Sequence, residues 1–254
     1  MKAAGILLKL LDGIVTLLGS VLFVTALVWS AYSFWDNRQV VTDVREVQRS
    51  LRDLRPTADD EEGSGTDFRK LQEANADICA WLTLEGTEID SAVVQGKDNG
   101  TYMHTDPYGK PALGGSIFLD ARNSRRFEDA VHVLYGHNVR NEALFADLNK
   151  YKEFPFFEEH REGSLLVPGR EWKLHVFACL RTREGEKLIF DPEYAAENRS
   201  LFLDYAEEHA EAWDGEMLTE LRESEEKILT MTTCTDDGDQ DARTAVLAWM
   251  EAAA

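Results

Sequence analysis

The sequence predicts a mainly β protein with inserted helices, folded as a closed or nearly closed β-barrel behind a transmembrane helix and a stalk helix. The first observation is an uncharged apolar run of 23 residues, from Gly13 to Trp35. The second is a series of short strand-like stretches after residue 66, separated by turns that contain Gly, Asn or Asp. Many strands at short intervals with few helices favour a barrel.

The charge balance excludes one large class of partner. The chain has 47 Asp and Glu against 27 Lys and Arg, which gives a formal net charge of −20. Nucleic acid is a polyanion that clustered basic residues must neutralise, so this chain is not expected to bind it.

The apolar run is predicted to be a transmembrane helix over 13–35, after a short tail over 1–12. Its length spans a bilayer core of roughly 30 Å at about 1.5 Å per residue. It ends in Trp29, Tyr32 and Trp35, residue types that membrane interfaces favour. A cleaved signal peptide is the alternative, but the run exceeds the usual apolar length and no clean cleavage site follows. Basic residues lie on both sides, so charge counting leaves the orientation open.

The segment over 36–66 is predicted to hold a stalk helix and an acidic linker. Apolar residues recur there at the spacing of one helix face: Val40, Val44, Val47, Leu51 and Leu54. The stretch from Pro56 to Thr66 is acidic and rich in small residues, which indicates a flexible linker. The stalk is expected to pack on its own domain or on a partner, and the barrel domain to occupy 67–254.

The barrel domain opens with a predicted short helix that contains Phe68, Leu71 and Ile78, with Thr66 or Asp67 as its N-cap. A second, amphipathic helix is predicted over Glu193–Trp213. The predicted strands are Trp81–Leu84, Glu88–Val94, Ser116–Asp120, Ala130–Tyr135, Ser164–Val167, Trp172–Arg181, Ile228–Thr233 and Thr244–Met250.

Three residues are candidates for chemistry at one end of this barrel. Cys234 ends an apolar strand, His137 follows another in Tyr135-Gly-His-Asn138, and Arg243 opens the last strand. If the final two strands pair across their loop, Cys234 and Arg243 are neighbours. A thiolate can attack a carbonyl, an imidazolium can protonate the departing amine, and a guanidinium can donate to the carbonyl or oxyanion. The set therefore points to acyl transfer.

The other cysteines and histidines and the acidic loop are predicted to have structural or surface roles. The chain has three cysteines, and Cys79 and Cys179 lie in apolar runs that indicate small buried hydrophobic residues. A disulfide between them is the alternative. The acidic loop over 235–241 fails the EF-hand spacing, so a solvated loop is expected. The remaining histidines have no ligand spacing and are taken as structural or surface residues: His104, His132, His160, His175 and His209. No metal site and no cofactor are predicted.

Several segments, in order over roughly 67–250, resemble the class B sortases, membrane-anchored cysteine transpeptidases of Gram-positive bacteria. The specific elements are Tyr135-Gly-His-Asn138 and Thr232-Thr-Cys234 with Arg243. Supporting elements are Trp81–Asp90 with Val93-Val-Gln95 and Asp98-Asn99, Gly115–Asn123, and Leu144–Leu148. The resemblance implies an eight-stranded sortase barrel with an added N-terminal helix pair and a helix before the penultimate strand.

The resemblance also implies the function and the topology. His137, Cys234 and Arg243 would be the catalytic residues, the N-terminus would be cytoplasmic, and the catalytic domain would be outside a single-pass membrane anchor. The enzyme would cleave a C-terminal sorting signal after its Thr, form a thioester on the cysteine, and pass the protein to a peptidoglycan amine.

Two other functions remain open at this point. One is a pilin-polymerising enzyme that uses a pilin lysine as acceptor, and the other is a barrel that binds peptide without catalysis. The expected partners are surface proteins that bear sorting signals, together with the amine acceptor. Four residues are predicted to line the substrate groove: Asn123, Tyr135, Thr232 and Tyr194.

Overall fold

The computed structural model describes residues 2–56, 68–139, 143–234, 239 and 241–253. One short 3-10 helix runs over Ala146–Lys152. The α-helices are α1 (Lys2–Arg52), α2 (Arg69–Ala74), α3 (Phe154–Glu159), α4 (Lys187–Phe190), α5 (Pro192–Glu197), α6 (Arg199–His209) and α7 (Gly215–Glu223). The strands are β1 (Ile78–Leu84), β2 (Asp90–Val94), β3 (Ile117–Leu119), β4 (Val131–Tyr135), β5 (Asn138–Val139), β6 (Ala143–Leu144), β7 (Glu162–Val167), β8 (Arg170–Arg183), β9 (Ala210–Trp213), β10 (Lys227–Cys234) and β11 (Ala242–Ala252).

Eight strands close into a barrel. Their order is β11-β10-β4-β3-β2-β1-β7-β8, and β11 pairs again with β8 to complete the circle. The 14-residue strand β8 is long enough to pair with β11 along one edge, and with β7 and then β9 along the other. The predicted closed eight-stranded barrel is confirmed.

The apolar residues separate into an interior core and two outer layers. The interior is filled from all sides of the barrel, for example by Leu82, Met231 and Val246. A second cluster packs α5, α6 and α7 onto one outer face through residues such as Phe202 and Leu247. The alternation of Val246 inward and Leu247 outward is the two-residue period of a strand buried on both faces.

The chain divides into two compact units, residues 1–42 and 43–254. In the first unit, α1 includes the 23-residue segment Leu11–Ser33, whose mean hydropathy is 2.1 and whose side chains are not buried. This segment is long and apolar enough to cross a membrane. It overlaps the predicted span over 13–35.

The end of α1 that belongs to the second unit packs on the barrel. Leu51 is fully buried in a cluster with Phe68 and Leu71. The Ser50 and Tyr108 hydroxyls lie 2.8 Å apart. Val44 is buried as well, whereas the predicted linker over 56–66 lies, apart from Pro56, outside the described residues. The apolar stripe of the stalk therefore binds its own domain.

Two helix predictions are wrong in their bounds. The predicted helix Glu193–Trp213 is divided: α5 ends at Glu197, with Asn198 (φ −116°) as its C-cap, and Ala210–Trp213 follows α6 as a strand that pairs with β8. The predicted first helix does not reach Ile78: α2 stops at the extended residue Asn75, and Ile78 begins β1. At Ala210–Trp213 and at Ile78, pairing with a distant strand overrides local helical spacing.

One buried histidine couples this fold to pH. His132 on β4 is fully buried, and its ring lies 5.0 Å from that of Phe127. Burial lowers the pKa of His132 to about 4, although the Asp129 carboxylate, 3.9 Å from Nε2, opposes the shift. The imidazole is therefore held neutral.

We expect His132→Phe to flatten the acid side of the stability profile. Between the unfolded pKa of about 6.5 and the folded value, the unfolded chain binds the extra proton, so stability falls as pH falls through this window. Over this whole window, the free energy of unfolding that the wild-type protein loses through His132 is on the order of 3 kcal/mol. Urea unfolding of the full chain in detergent micelles from pH 7 to 4 measures it. His209→Phe, at an exposed helix position, is the control and should keep the wild-type slope.

Candidate active site

The barrel closure places Cys234 and Arg243 side by side. In the antiparallel pair β10–β11, the Cα atoms of these two residues are direct partners. Across the next pair, Arg243 is opposite Thr182 on β8. Directly opposite residues project from the same face of a sheet. One face of the barrel rim therefore carries Cys234, Arg243 and Thr182 in a row.

The parallel pairing of β4 and β10 brings His137 to the same end. Tyr135 is opposite Thr232, and His137 and Cys234 each lie two positions further along. The amide of Asn138 donates to the Cys234 carbonyl at 3.1 Å. The three predicted catalytic residues thus meet at one end of the barrel.

Gly136 makes room for a packed aromatic ring. A Cβ atom there would lie 2.7 Å from the Phe145 ring, which real Cβ contacts do not tolerate. The glycine therefore permits Phe145 to pack beneath the chain at His137.

The His137 ring is fixed by the loop between β2 and β3. Its Nε2 lies 2.8 Å from the Met103 carbonyl oxygen. A carbonyl oxygen only accepts, so Nε2 must carry a hydrogen and donate it. The His104 ring stacks on that of His137 with centroids 5.8 Å apart and planes 19° apart. Sequence reasoning missed both contacts, because no local pattern connects His137 with positions 33 and 34 residues before it.

The backbone of Cys234 is held by a second buried amide. Asn149, on the 3-10 helix, donates to the Cys234 carbonyl at 3.3 Å. Its own oxygen accepts from the Thr244 hydroxyl at 2.6 Å. Asn149 and Thr244 are buried, so this bridge links the strand of the thiol to the strand of Arg243 from below. Neither residue was predicted as part of the site.

Arg243 forms an ion pair that the sequence did not predict. Its guanidinium donates to the carboxylate of Glu184 and, at 3.0 Å, to the Ala242 carbonyl. The Arg243 side chain is only 18% exposed, whereas that of Glu184 is 69% exposed. The backbone N–H of Glu184 donates to the Asp241 carbonyl at 3.0 Å, which extends the β8–β11 pairing by one residue.

Two of the predicted groove residues are buried. The Asn123 amide donates to Asp129 at 3.0 Å and to the Val131 carbonyl at 2.8 Å, and its oxygen accepts from the Val133 N–H. These bonds give it a structural role in the loop before β4. Thr232 is 2% exposed and donates to the Leu134 carbonyl at 3.3 Å. Their part in substrate binding stays a prediction.

The two groove tyrosines lie nearer the surface. The Tyr135 hydroxyl donates to Asp120 at 2.9 Å, and burial, followed by that carboxylate, raises the pKa of Tyr135. Tyr194 is 38% exposed, and the Lys187 ammonium lies 5.6 Å from the centroid of its ring. Tyr194 is thus accessible to a ligand.

The segment that carries α4 is tied to the barrel by Arg122. Burial favours the neutral form of Asp120, but hydrogen bonds from the Arg122 side chain and backbone lower the pKa of Asp120 below its usual value. The same guanidinium donates to the Phe190 carbonyl at 2.5 Å and pairs with Asp191 at 3.0 Å. A single side chain therefore anchors the chain between α4 and α5.

The three cysteines have different environments. Cys79 and Cys179 are buried and unpaired with each other, which excludes the disulfide alternative, and Cys234 is exposed. Burial raises the pKa of Cys79 to about 12 and also raises that of Cys179. Both buried thiols are therefore held protonated, and Cys234 is the accessible thiol.

Most of the acidic loop after Cys234 lies outside the described residues. Asp239 is described, and its carboxylate accepts from Arg181 at 3.0 Å. Within the described part of the chain, no three His, Cys, Asp or Glu side chains are grouped as metal ligands.

Comparison with known proteins connects this geometry to a family. No protein-family model matches the sequence. Sortase B of Listeria monocytogenes is 38% identical over 116 residues, which is 46% of this chain and 47% of that protein. The crystal structure of a Streptococcus pyogenes class B sortase involved in pilus biogenesis is 31% identical, covers 73% of this chain and 98% of that one, and has a TM-score of 0.66. This chain belongs to the class B sortases.

A third relative has been solved with a bound substrate. The Staphylococcus aureus sortase B–substrate complex is 26% identical, with a TM-score of 0.64 over 74% of this chain and 85% of that one. The match to the Listeria protein spans about half of that relative's length. The N-terminal apolar helix and this membership together fit a membrane-anchored sortase.

We expect Asn149→Ala to destabilise the domain more than Asn138→Ala does. Both amides bond the same carbonyl, but the loss of Asn149 leaves the buried Thr244 hydroxyl without its acceptor, which costs about 1–3 kcal/mol. Water can replace the amide of Asn138, which is only partly buried, so its loss should cost less than about 1 kcal/mol. Urea unfolding of both variants checks the order, and equal losses would contradict the role of the buried bridge.

Proposed function

We propose that this sortase is a cysteine transpeptidase that cleaves a C-terminal sorting signal after its Thr and transfers the protein to a peptidoglycan amine. The observation that carries the proposal is the position of the accessible Cys234 thiol, opposite Arg243 and at the same strand ends as His137. Family membership supports the same reaction class.

The first half of the reaction forms a thioester. The Cys234 thiolate attacks the carbonyl carbon of the Thr residue, and the electron pair of the carbonyl moves onto oxygen. Arg243 donates to that oxygen. When the tetrahedral intermediate collapses, the C–N bond breaks and His137 gives a proton to the departing amine.

The second half passes the acyl group on. The acceptor amine attacks the thioester carbonyl, its proton goes to His137, and the C–S bond breaks to restore the thiolate. Water as acceptor would give hydrolysis, so a transpeptidase requires the amine to reach the thioester first. The buried bridge beneath Cys234 supports this step by holding the strand end in place between the two half-reactions.

The acceptor and the topology are part of the proposal. The partners would be surface proteins with sorting signals, on the outer side of a single-pass membrane whose inner side holds the N-terminus. A pilin lysine is the alternative acceptor, and the likeness to a Streptococcus pyogenes sortase involved in pilus biogenesis favours testing it. A peptide-binding barrel without catalysis is a poorer fit to an exposed thiol beside a half-buried guanidinium.

We expect the full chain in detergent micelles to convert a suitable sorting peptide and hydroxylamine into a peptide hydroxamate. Cys234→Ala should abolish the product, because hydroxylamine must intercept a thioester. Cys79→Ala is the matched control and should retain activity, since that thiol is buried. Mass spectrometry of the product identifies the cleaved bond. A hydroxamate formed by Cys234→Ala, or peptide binding without turnover across a panel of signals, would overturn the proposal.

Replacing hydroxylamine with candidate amines separates the two acceptors. A peptidoglycan stem peptide and a pilin-derived lysine peptide compete for the same thioester, and the product ratio reports the preferred one. Preference for the lysine peptide would favour pilus assembly.

A further inference from the structure

The outer face of the barrel is covered directly below the row that carries Cys234. The next row on that face lies two positions away along each strand and consists of Leu180 on β8, Ala245 on β11 and Thr232 on β10. All three are buried, whereas Cys234 is exposed. Ile189 on α4 is buried in the same apolar cluster as Leu180 and Ala245. The outer layer that includes α4 therefore reaches the row below the thiol and leaves the thiol itself open.

The segment that carries α4 crosses from β8 to β4. It leaves β8 after Arg183. At its far end, the ring of Phe190 stacks on that of Tyr135 on β4, with centroids 6.2 Å apart and planes 12° apart. In the barrel, β11 and β10 lie between β8 and β4, so the segment passes over the two strands that end at the site. Its position therefore determines how much of the outer face is open beside Cys234.

Arg122 fixes the far end of this segment from the other side of β4. Its guanidinium donates to the Phe190 carbonyl at 2.5 Å and pairs with Asp191 at 3.0 Å. Two further bonds, of 2.9 and 2.8 Å, go to the carboxylate of Asp120, which follows β3. The Asp120 side chain is fully buried, and leaving a buried carboxylate without its cation is costly, so the guanidinium is held in one orientation. Only the planar fork of an arginine makes all these contacts at once.

We propose that Arg122 is a positioning residue for the sorting peptide: it holds α4 beside Cys234, so that the binding groove is formed before the peptide arrives. The inference rests on the proposed function, because it takes the peptide to bind along the outer face at Cys234. Arg122 acts through the Phe190 carbonyl and the Asp191 carboxylate, and not on the reacting atoms. A groove that is already formed binds more tightly, since no binding free energy is used to order α4.

The test keeps the positive charge of Arg122 and removes its fork. In the full chain in detergent micelles, Arg122→Lys should raise the KM of the peptide for hydroxamate formation about three- to tenfold and leave kcat within about twofold, because the apparent affinity falls with the fraction of molecules in which α4 is in place. Hydrogen exchange measures the position of α4 directly. The backbone N–H groups of Ile189, Phe190 and Asp191 donate to carbonyls at the start of α4, and they should exchange faster in the variant.

Arg125→Lys is the matched control. Arg125 lies in the same loop between β3 and β4 and is exposed to a similar degree. It donates to the Ala76 carbonyl at 2.6 Å, just before β1 and at the end of the barrel away from Cys234. This variant should leave both the KM and the exchange in α4 unchanged.

Four results would overturn the proposal. One is an equal rise in KM for Arg125→Lys, which would mean that the whole loop sets the affinity. The second is an unchanged KM in Arg122→Lys, and the third is a fall in kcat alone, which would place the effect on the chemical steps. The fourth is a higher KM without faster exchange in α4, which would show that Arg122 binds the peptide itself.

A binding measurement keeps the two proposals separable. Fluorescence anisotropy with labelled peptides, each carrying a candidate sorting signal with its Thr, gives the Kd in a Cys234→Ala background, where no thioester forms. Arg122→Lys should raise this Kd by the same factor of about three to ten. If no peptide is turned over while Arg122→Lys weakens binding, the proposed function fails and the positioning role stands. If peptides are turned over and neither KM nor Kd changes, the function stands and the positioning role fails. A wild-type protein that neither binds nor converts any peptide contradicts both.

Discussion

The site depends on the way β11 closes the barrel. This strand pairs with β10 along one edge and with β8 along the other, and only this double pairing brings the thiol, the guanidinium and the loop of Glu184 to one face. Because side chains alternate between faces, a slip of one residue in either pair would turn Arg243 inward. The register is held by the apolar partners further along β11, where Val246 fills the interior and Leu247 packs under the outer helices. The core of the barrel therefore sets the geometry of its rim.

The rim is stabilised from beneath by buried polar groups. Water does not reach these groups, so they must form hydrogen bonds with other protein groups. Asn149 bonds both the Cys234 carbonyl and the Thr244 hydroxyl, so it fixes the ends of β10 and β11 relative to each other. Met103 and His104 fix the imidazole of His137 from another loop. None of these residues is predicted to take part in the reaction, but each fixes the position of a group that is predicted to do so. Leaving a buried polar group without its partner costs more free energy than one hydrogen bond contributes. Such bridges therefore favour a single arrangement of the rim.

The sequence predicted most of the barrel because strand alternation is a local signal. Each of the eight barrel strands overlaps a predicted segment, and the segment Trp172–Arg181 predicts most of β8. Ala210–Trp213 was assigned to a helix because its strand character comes only from pairing with β8. The pairing of the last two strands placed Cys234 beside Arg243, which a short connecting loop makes predictable. Glu184 and Met103 could not be found in this way, since they reach the site across 59 and 34 positions through the fold alone.

The effect of the strongly acidic composition on the site depends on where the individual carboxylates lie. A net charge of −20 acts on the thiol only weakly where the charges are exposed and distant, because salt screens them beyond about 8 Å. Glu184 is different, since it contacts the cation that lies beside Cys234. Asp239 is engaged by Arg181, and Asp120 and Asp191 are engaged by Arg122, so these carboxylates are partly neutralised by their own partners. Glu184 therefore acts on the cation beside Cys234 by direct contact, whereas these other carboxylates are held by arginines elsewhere on the domain.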